Sequence, residues 1–206
     1  TGIAADITKR KKIELELIDY KKAIDSAAIV SITDAKGNII HVNDKFCEIS
    51  KYSEEELIGK NHNILNSGHH PKEFFQKMWQ TISSGNIWKD EIKNKAKDGS
   101  EYYVESSIIP FMKDGKPYQY VSIRFDSTDK VLSKLEVETQ KQFYEFILNN
   151  VPADIAVFNP DHKYLFINPT AIKNTEMRKL MIGKDDFDYC ELKGIDKSLA
   201  IERRNA

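Results

Sequence analysis

The sequence predicts an α+β fold: an antiparallel sheet with helices gathered on one face and longer helices at its flanks. Three observations carry it. Two strand signals are followed by several short helices and then three more strand signals. A long stretch repeats itself further along the chain. Residues 9–27 lack Gly and Pro and place Ile13, Leu17, Tyr20 and Ile24 at near-heptad spacing, which makes a helical stripe.

The elements follow in order. Residues 29–34 read as a strand, Gly37-Asn38 as a turn and residues 39–43 as the paired strand. Residues 44–50, 53–58 and 71–83 read as short helices. Ser53 with Glu56 forms a capping box, and Pro71 suits a first helical turn. Strands are expected at 87–96, 101–110 and 118–126, with hairpin signals at Asp98-Gly99 and at the KDGKP of residues 113–117. A second long helix is expected over 128–151. Its apolar positions include Leu132, Leu135, Phe143, Phe146 and Ile147, and Thr139 and Gln142 interrupt the stripe. Strands at 155–158 and 164–167 then restart the pattern.

The repeat is ordered. VSITDAKGNIIHVN (30–43) returns as IAVFNPDHKYLFIN (155–168) at a constant offset of 125 residues. LIGK (57–60) returns as MIGK (181–184) at an offset of 124, one loop residue fewer. GIAADIT (2–8) matches SIRFDST (122–128) at an offset of 120. The chain is therefore expected to open with the end of one module, hold a whole one, and enter a third.

Composition narrows the function classes. Among 206 residues, 40% are hydrophobic and 31% charged, an ordinary globular balance. Lys+Arg number 31 against 32 Asp+Glu, so no global field recruits nucleic acid or anionic lipid. The longest apolar runs, such as residues 27–30 and 155–158, are far too short to span a bilayer, and no secretory signal is expected. Cys47 and Cys190 are isolated, which suggests neither a metal site nor a disulfide framework and makes a reducing cytoplasmic compartment the expectation. No nucleophile–base motif and no phosphate-cradling Gly-rich loop stands out, so the fragment is expected not to be an enzyme.

SITDAKGNIIHVN, YSEEELIGK, NHNILNSGHHP, MWQTISSGNIWKDEIKNKAKDGS, a Pro110 at the end of the penultimate strand and a closing DST form one ordered set. This set resembles the PAS domain, a small sensory module of bacterial signalling proteins. The resemblance implies a five-stranded sheet cupping a ligand-sized cavity, whose occupant alters a dimeric helix between sensor and effector. It implies the end of a preceding core in residues 1–8, a signalling helix in 9–22 and a complete domain in 23–129. A connector helix in 130–150 and the first part of a further domain in 151–206 follow.

Flavin-binding photosensors of the family carry a reactive cysteine where this chain has His62, so their thiol adduct chemistry is excluded here. Their ring-contacting residues fall at Asn94, Val104 and Arg124; Asn94 alone keeps the amide. The nearer resemblance is to redox-sensing flavin PAS domains of aerotaxis receptors and nitrogen-fixation regulators, with counterparts at His62, Asn63, Trp79, Trp88 and Asn94. Trp79, Asn94, His62, Asn63 and Arg124 are the candidate cofactor contacts. Trp79 would wall a ring and Asn63 and Asn94 would meet its amide edge. Trp79 also sits at helical spacing from Phe75 and Ile82, which suits a core residue equally well. Haem through His69-His70 is a weaker alternative, and a cavity without cofactor stays open.

The expected function is a sensory and relay region of a multidomain signalling protein, above all a two-component sensor histidine kinase. Its expected partners are a second copy through the flanking helices, a downstream effector domain in the same chain and a small-molecule ligand, with no nucleic acid and no membrane for this fragment. The sensor region of a diguanylate cyclase or chemoreceptor, or a cofactor-free dimerisation scaffold, would look the same at this level.

Overall fold

The structure, a computed structural model, describes residues 2–205, with side chains from residue 10 onward except at 199, 203 and 205. The chain divides after Ser133 into two compact units.

In the first unit, helix α1 (Gly2–Ala27) leads into β1 (Ile29–Asp34) and β2 (Ile39–Val42). Helices α2 (Asp44–Ser50) and α3 (Glu54–Leu57), a 3₁₀ turn (His62–Leu65) and α4 (Lys72–Ser83) follow. The unit is completed by β3 (Trp88–Lys95), β4 (Glu101–Lys113) and β5 (Lys116–Asp126). The strands form one five-stranded sheet in the order β2-β1-β5-β4-β3, antiparallel throughout. Pairing β1 with β5, Ile29 opposite Arg124 and Asp34 opposite Gln119, brings the two ends of the unit together. The core lies between sheet and short helices, built on Ile39, Phe46, Leu57, Leu65, Ile82 and Val104.

Local chemistry explains the elements. Ser53 and Glu56 make the expected capping box at the start of α3. Asp114 and Gly115 both have positive φ, as a two-residue turn between twisted strands requires. Asn43 caps α2 and does more. Its Oδ1 accepts from the backbone N–H groups of Val30 and Phe46, and its Nδ2 donates to the carbonyls of Asp25 and Ala28. One amide thus ties the end of α1 to the sheet.

The structure differs from the sequence reading at several points. Residues 2–8 belong to α1 and are helical rather than extended. A strand end needs neighbours to complete its ladder, whereas a helix satisfies the same backbone groups internally. Pro110 does not end β4, which continues to Lys113 with Pro110 opposite Tyr120. Beyond Ile108 no β3 residue pairs with β4, so the missing N–H has an open edge to face. Pro71 is the N-cap of α4 rather than part of its first turn.

The second unit begins within α5 (Thr128–Asn150). It holds the hairpin β6 (Ala156–Phe158)–β7 (Tyr164–Ile167) and helices α6 (Thr175–Met181), α7 (Asp186–Lys193) and α8 (Ser198–Asn205). Tyr164, Ile167 and Met181 are its buried centre.

Candidate functional site

A cavity of about 530 Å³ opens between α4, the 3₁₀ turn and the inner face of the sheet. That volume falls within the range of small-molecule sites. Alternation along β5 aims Tyr120, Ser122 and Arg124 inward, and β1, β3 and β4 add Thr33, Asn94 and Ile108. Trp79 enters from α4, with its ring 5.7 Å from that of Tyr120 in an edge-to-face pair. Gly37 lets the β1–β2 turn approach: a Cβ there would lie 3.1 Å from the Trp79 ring, and its φ of +84° suits glycine.

All five residues singled out from the sequence line this cavity. Trp79 is half-buried, Asn94 buried, Asn63 exposed at the opening, and His62 and Arg124 meet at its inner end. Trp88 does not line it; it is buried in the core, edge-on to Phe74 at 5.4 Å. Nor does His70, whose Nε2 accepts the backbone N–H of Lys93 at 2.9 Å and whose ring stacks on Phe74. Cys47 packs against the core outside the cavity, and burial, with Glu54, Asp44 and Glu48 nearby, raises its thiol pKa.

Arg124 dominates the electrostatics. It is 3% exposed. Its Nη1 donates to Ser31 Oγ at 2.9 Å and its Nη2 to His62 Nε2 at 3.0 Å, and Phe46 lies with its ring centre 5.8 Å from Cζ. An arginine only donates, so His62 Nε2 must be the acceptor and the imidazole neutral with its proton on Nδ1. His62 is accordingly pushed down to about 3, first by burial of its ring and then by the Arg124 charge. Burial lowers Arg124 itself to about 10. Burial also raises the phenol of Tyr102.

Sequence reading missed Ser31, Lys36, Asn61, Asn66, Tyr120 and Ser122. The signal was present in the alternation Tyr120-x-Ser122-x-Arg124, which places polar groups on one strand face. The apolar alternation Val121, Ile123, Phe125 draws attention to the opposite face, and Phe125 is exposed.

The sequence profile of the PAS domain family matches residues 26–129, half of the chain. This chain belongs to the PAS domain family. The chain is 36% identical over 112 residues to the aerotaxis receptor of Escherichia coli, an alignment covering 54% of this chain and 22% of that protein. The nitrogen fixation regulatory protein of Klebsiella pneumoniae is 29% identical over 147 residues, covering 70% and 30%. A solved PAS domain from Colwellia psychrerythraea superposes with a TM-score of 0.50 at 25% identity, covering 55% of this chain and 98% of that one. The chain spans less than a third of the length of these two curated relatives. The fold, α+β with a five-stranded antiparallel PAS sheet, is as the sequence implies. The chain carries a PAS sensory module of the kind found in signalling proteins. No helix among the described residues is long and apolar enough to cross a membrane.

Proposed function

We propose that this PAS region senses a small molecule in the 530 Å³ cavity and relays its presence through α5 to a downstream histidine kinase domain. The observation that carries the reading is continuity between cavity wall and helix. β5, which holds Tyr120, Ser122 and Arg124 in the cavity, ends at Asp126, and α5 begins at Thr128. The joint between them is hydrogen-bonded to the sheet. Ser127 N–H donates to the Tyr103 carbonyl, Ser127 Oγ to Glu91, and Thr128 Oγ1 accepts from Tyr103 N–H. A shift of β5 against its ligand is thereby passed to the first turn of α5. Tandem modules joined by helices are the arrangement that supports a kinase parent. Exposed apolar residues such as Leu17 and Ile24 on α1 and Leu132 and Leu135 on α5 support pairing with a second copy.

A flavin fits the lining. Trp79 and Tyr120 form an aromatic wall, and Asn63 and Asn94 offer amides for a ring edge. When bound, a flavin supplies a redox-dependent change of charge within the cavity. An absorption spectrum of the freshly purified chain, before and after adding FAD or FMN, tests this. A blue-absorbing flavin band that Trp79→Ala abolishes is the expected result. A chain that neither retains nor takes up flavin overturns the assignment, and flavin retained by Trp79→Ala overturns the wall.

A further inference from the structure

Arg124 is a buried cation without a counter-ion. No ion pair to it occurs among the described residues, and no Asp or Glu lines the cavity. Its partners Ser31, His62 and Phe46 are all neutral. They satisfy two of its nitrogens, and Nε has no hydrogen-bond partner. Removing a guanidinium from water without an opposite charge is strongly unfavourable, and an unused buried donor adds to the cost. Among the described residues, the one other charged side chain in the lining is a second cation, Lys36 at the exposed turn. The rest is apolar, aromatic and amide surface.

We infer that Arg124 is an anion seat, and that the cavity takes a flat, largely apolar molecule whose single negative group rests on this guanidinium. The uncompensated charge of Arg124, which lines the cavity, provides the seat, while Trp79, Met78, Ile92 and Ile108 cover the apolar body. His62 and Ser31 hold the guanidinium in place and compete for none of the ligand's charge. The inference rests on the reading of the cavity as a ligand site, and not on the ligand being a flavin.

Two dyes with one ring system separate these questions: 1-anilinonaphthalene-8-sulfonate, an anion, and N-phenyl-1-naphthylamine, its uncharged parent. Fluorescence titration of the dialysed chain should show the anion bound at least ~10-fold more tightly. Arg124→Gln should erase that preference and leave the neutral dye unchanged, while Ser122→Phe, which fills the cavity, should weaken both. Equal affinity of the two dyes for the unaltered chain overturns the anion seat and leaves the cavity reading standing. Indifference of both dyes to Ser122→Phe overturns both. Should Arg124→Gln fail to fold, Lys36→Gln decides. Altered only at an exposed position, it should keep the preference, and its loss there would move the seat to Lys36 and overturn the inference.

Discussion

The chain contains the same hairpin front twice, and the two copies share their backbone devices but not their interiors. Asn43 and Asn168 make the same four-point tie: Asn168 bonds Ile155 N–H, Ala171 N–H and the carbonyls of Leu148 and Ala153. Gly59 and Lys60 clasp Ile39 through two backbone hydrogen bonds, and Gly183 and Lys184 clasp Tyr164 in the same way. Asp34 and Asn159 close the turns by accepting the equivalent pairs of N–H groups. The interiors diverge where the first copy builds its charged site. Repeat offsets place Ala156 where the first copy has Ser31, Ala171 where it has Phe46, and Asp186 where it has His62. In place of a neutral imidazole held by an arginine, the second copy has a carboxylate bonded to the Tyr164 hydroxyl. The first hairpin is extended by β5, β4 and β3, whereas β6–β7 is a two-stranded sheet whose β6 residues are exposed. A hydrogen-bonded frame is thus specified locally and recurs with the sequence motif, while a ligand cavity needs strands distant in sequence.

The largest break in this comparison is expected at Phe46, which is 2% exposed and lies under Arg124. Phe46→Ala should destabilise the first unit by about 3–5 kcal/mol, read by urea denaturation. The second copy already carries alanine at the equivalent Ala171, so its fold does not depend on an aromatic ring there. A loss below about 1 kcal/mol would mean that Phe46 is not a pillar of the first core. Next come the asparagine ties. Asn43→Ala strands buried backbone groups and should cost about 2–3 kcal/mol. Hydrogen exchange should register that loss across the five-stranded sheet, because β1 is paired on both sides. Asn168→Ala should deprotect only residues around β6 and β7. Loss of protection in β1–β5 after Asn168→Ala would show that the two units unfold as one.

The same contrast explains what was legible. Turns, caps and helix stripes depend on a few neighbouring residues, so Ser53 with Glu56, Gly37 and Asp114-Gly115 declared themselves. The strand order was not legible, because the β1–β5 pairing joins residues more than 80 positions apart. Trp79, Asn94, His62, Asn63 and Arg124 follow from the family resemblance, and the structure gathers them on one cavity. Their mutual geometry was not legible. Nothing in the spacing of His62 and Arg124 says that one nitrogen accepts from the other, or that Ser31 on the adjacent strand β1 completes the contact. Residues 2–8 match the closing strand in sequence and are helical in the structure.

A finer contrast between the copies is their response to acid. His62 is neutral in the folded first unit, with its pKa down at about 3 against an ordinary value of 6.5. Between those values the unfolded chain binds a proton that the folded chain refuses, so stability rises with pH. The contribution is whole above about pH 6.5 and is lost as pH falls toward 3. A single group of this kind sets a ceiling of about 1.4 kcal/mol per pH unit. His70, also lowered by burial and by His69, acts with the same sign because its Nε2 must stay free to accept from Lys93. The lowered carboxylates Asp34, Glu56, Asp98, Glu101 and Asp196 depart downward from ordinary values of 3.8 or 4.5, so their unfolded forms take up protons mainly below about pH 5.5, and the interval from pH 6.5 to 5.5 reads the imidazoles. His62→Gln keeps an acceptor for Arg124 Nη2 and cannot be protonated. Urea midpoints across that interval should therefore fall less steeply for His62→Gln than for the unaltered chain, with the remaining slope due to His70. An unchanged slope would mean that His62 is protonated in the fold, and the Arg124 contact would then have to be drawn with another acceptor.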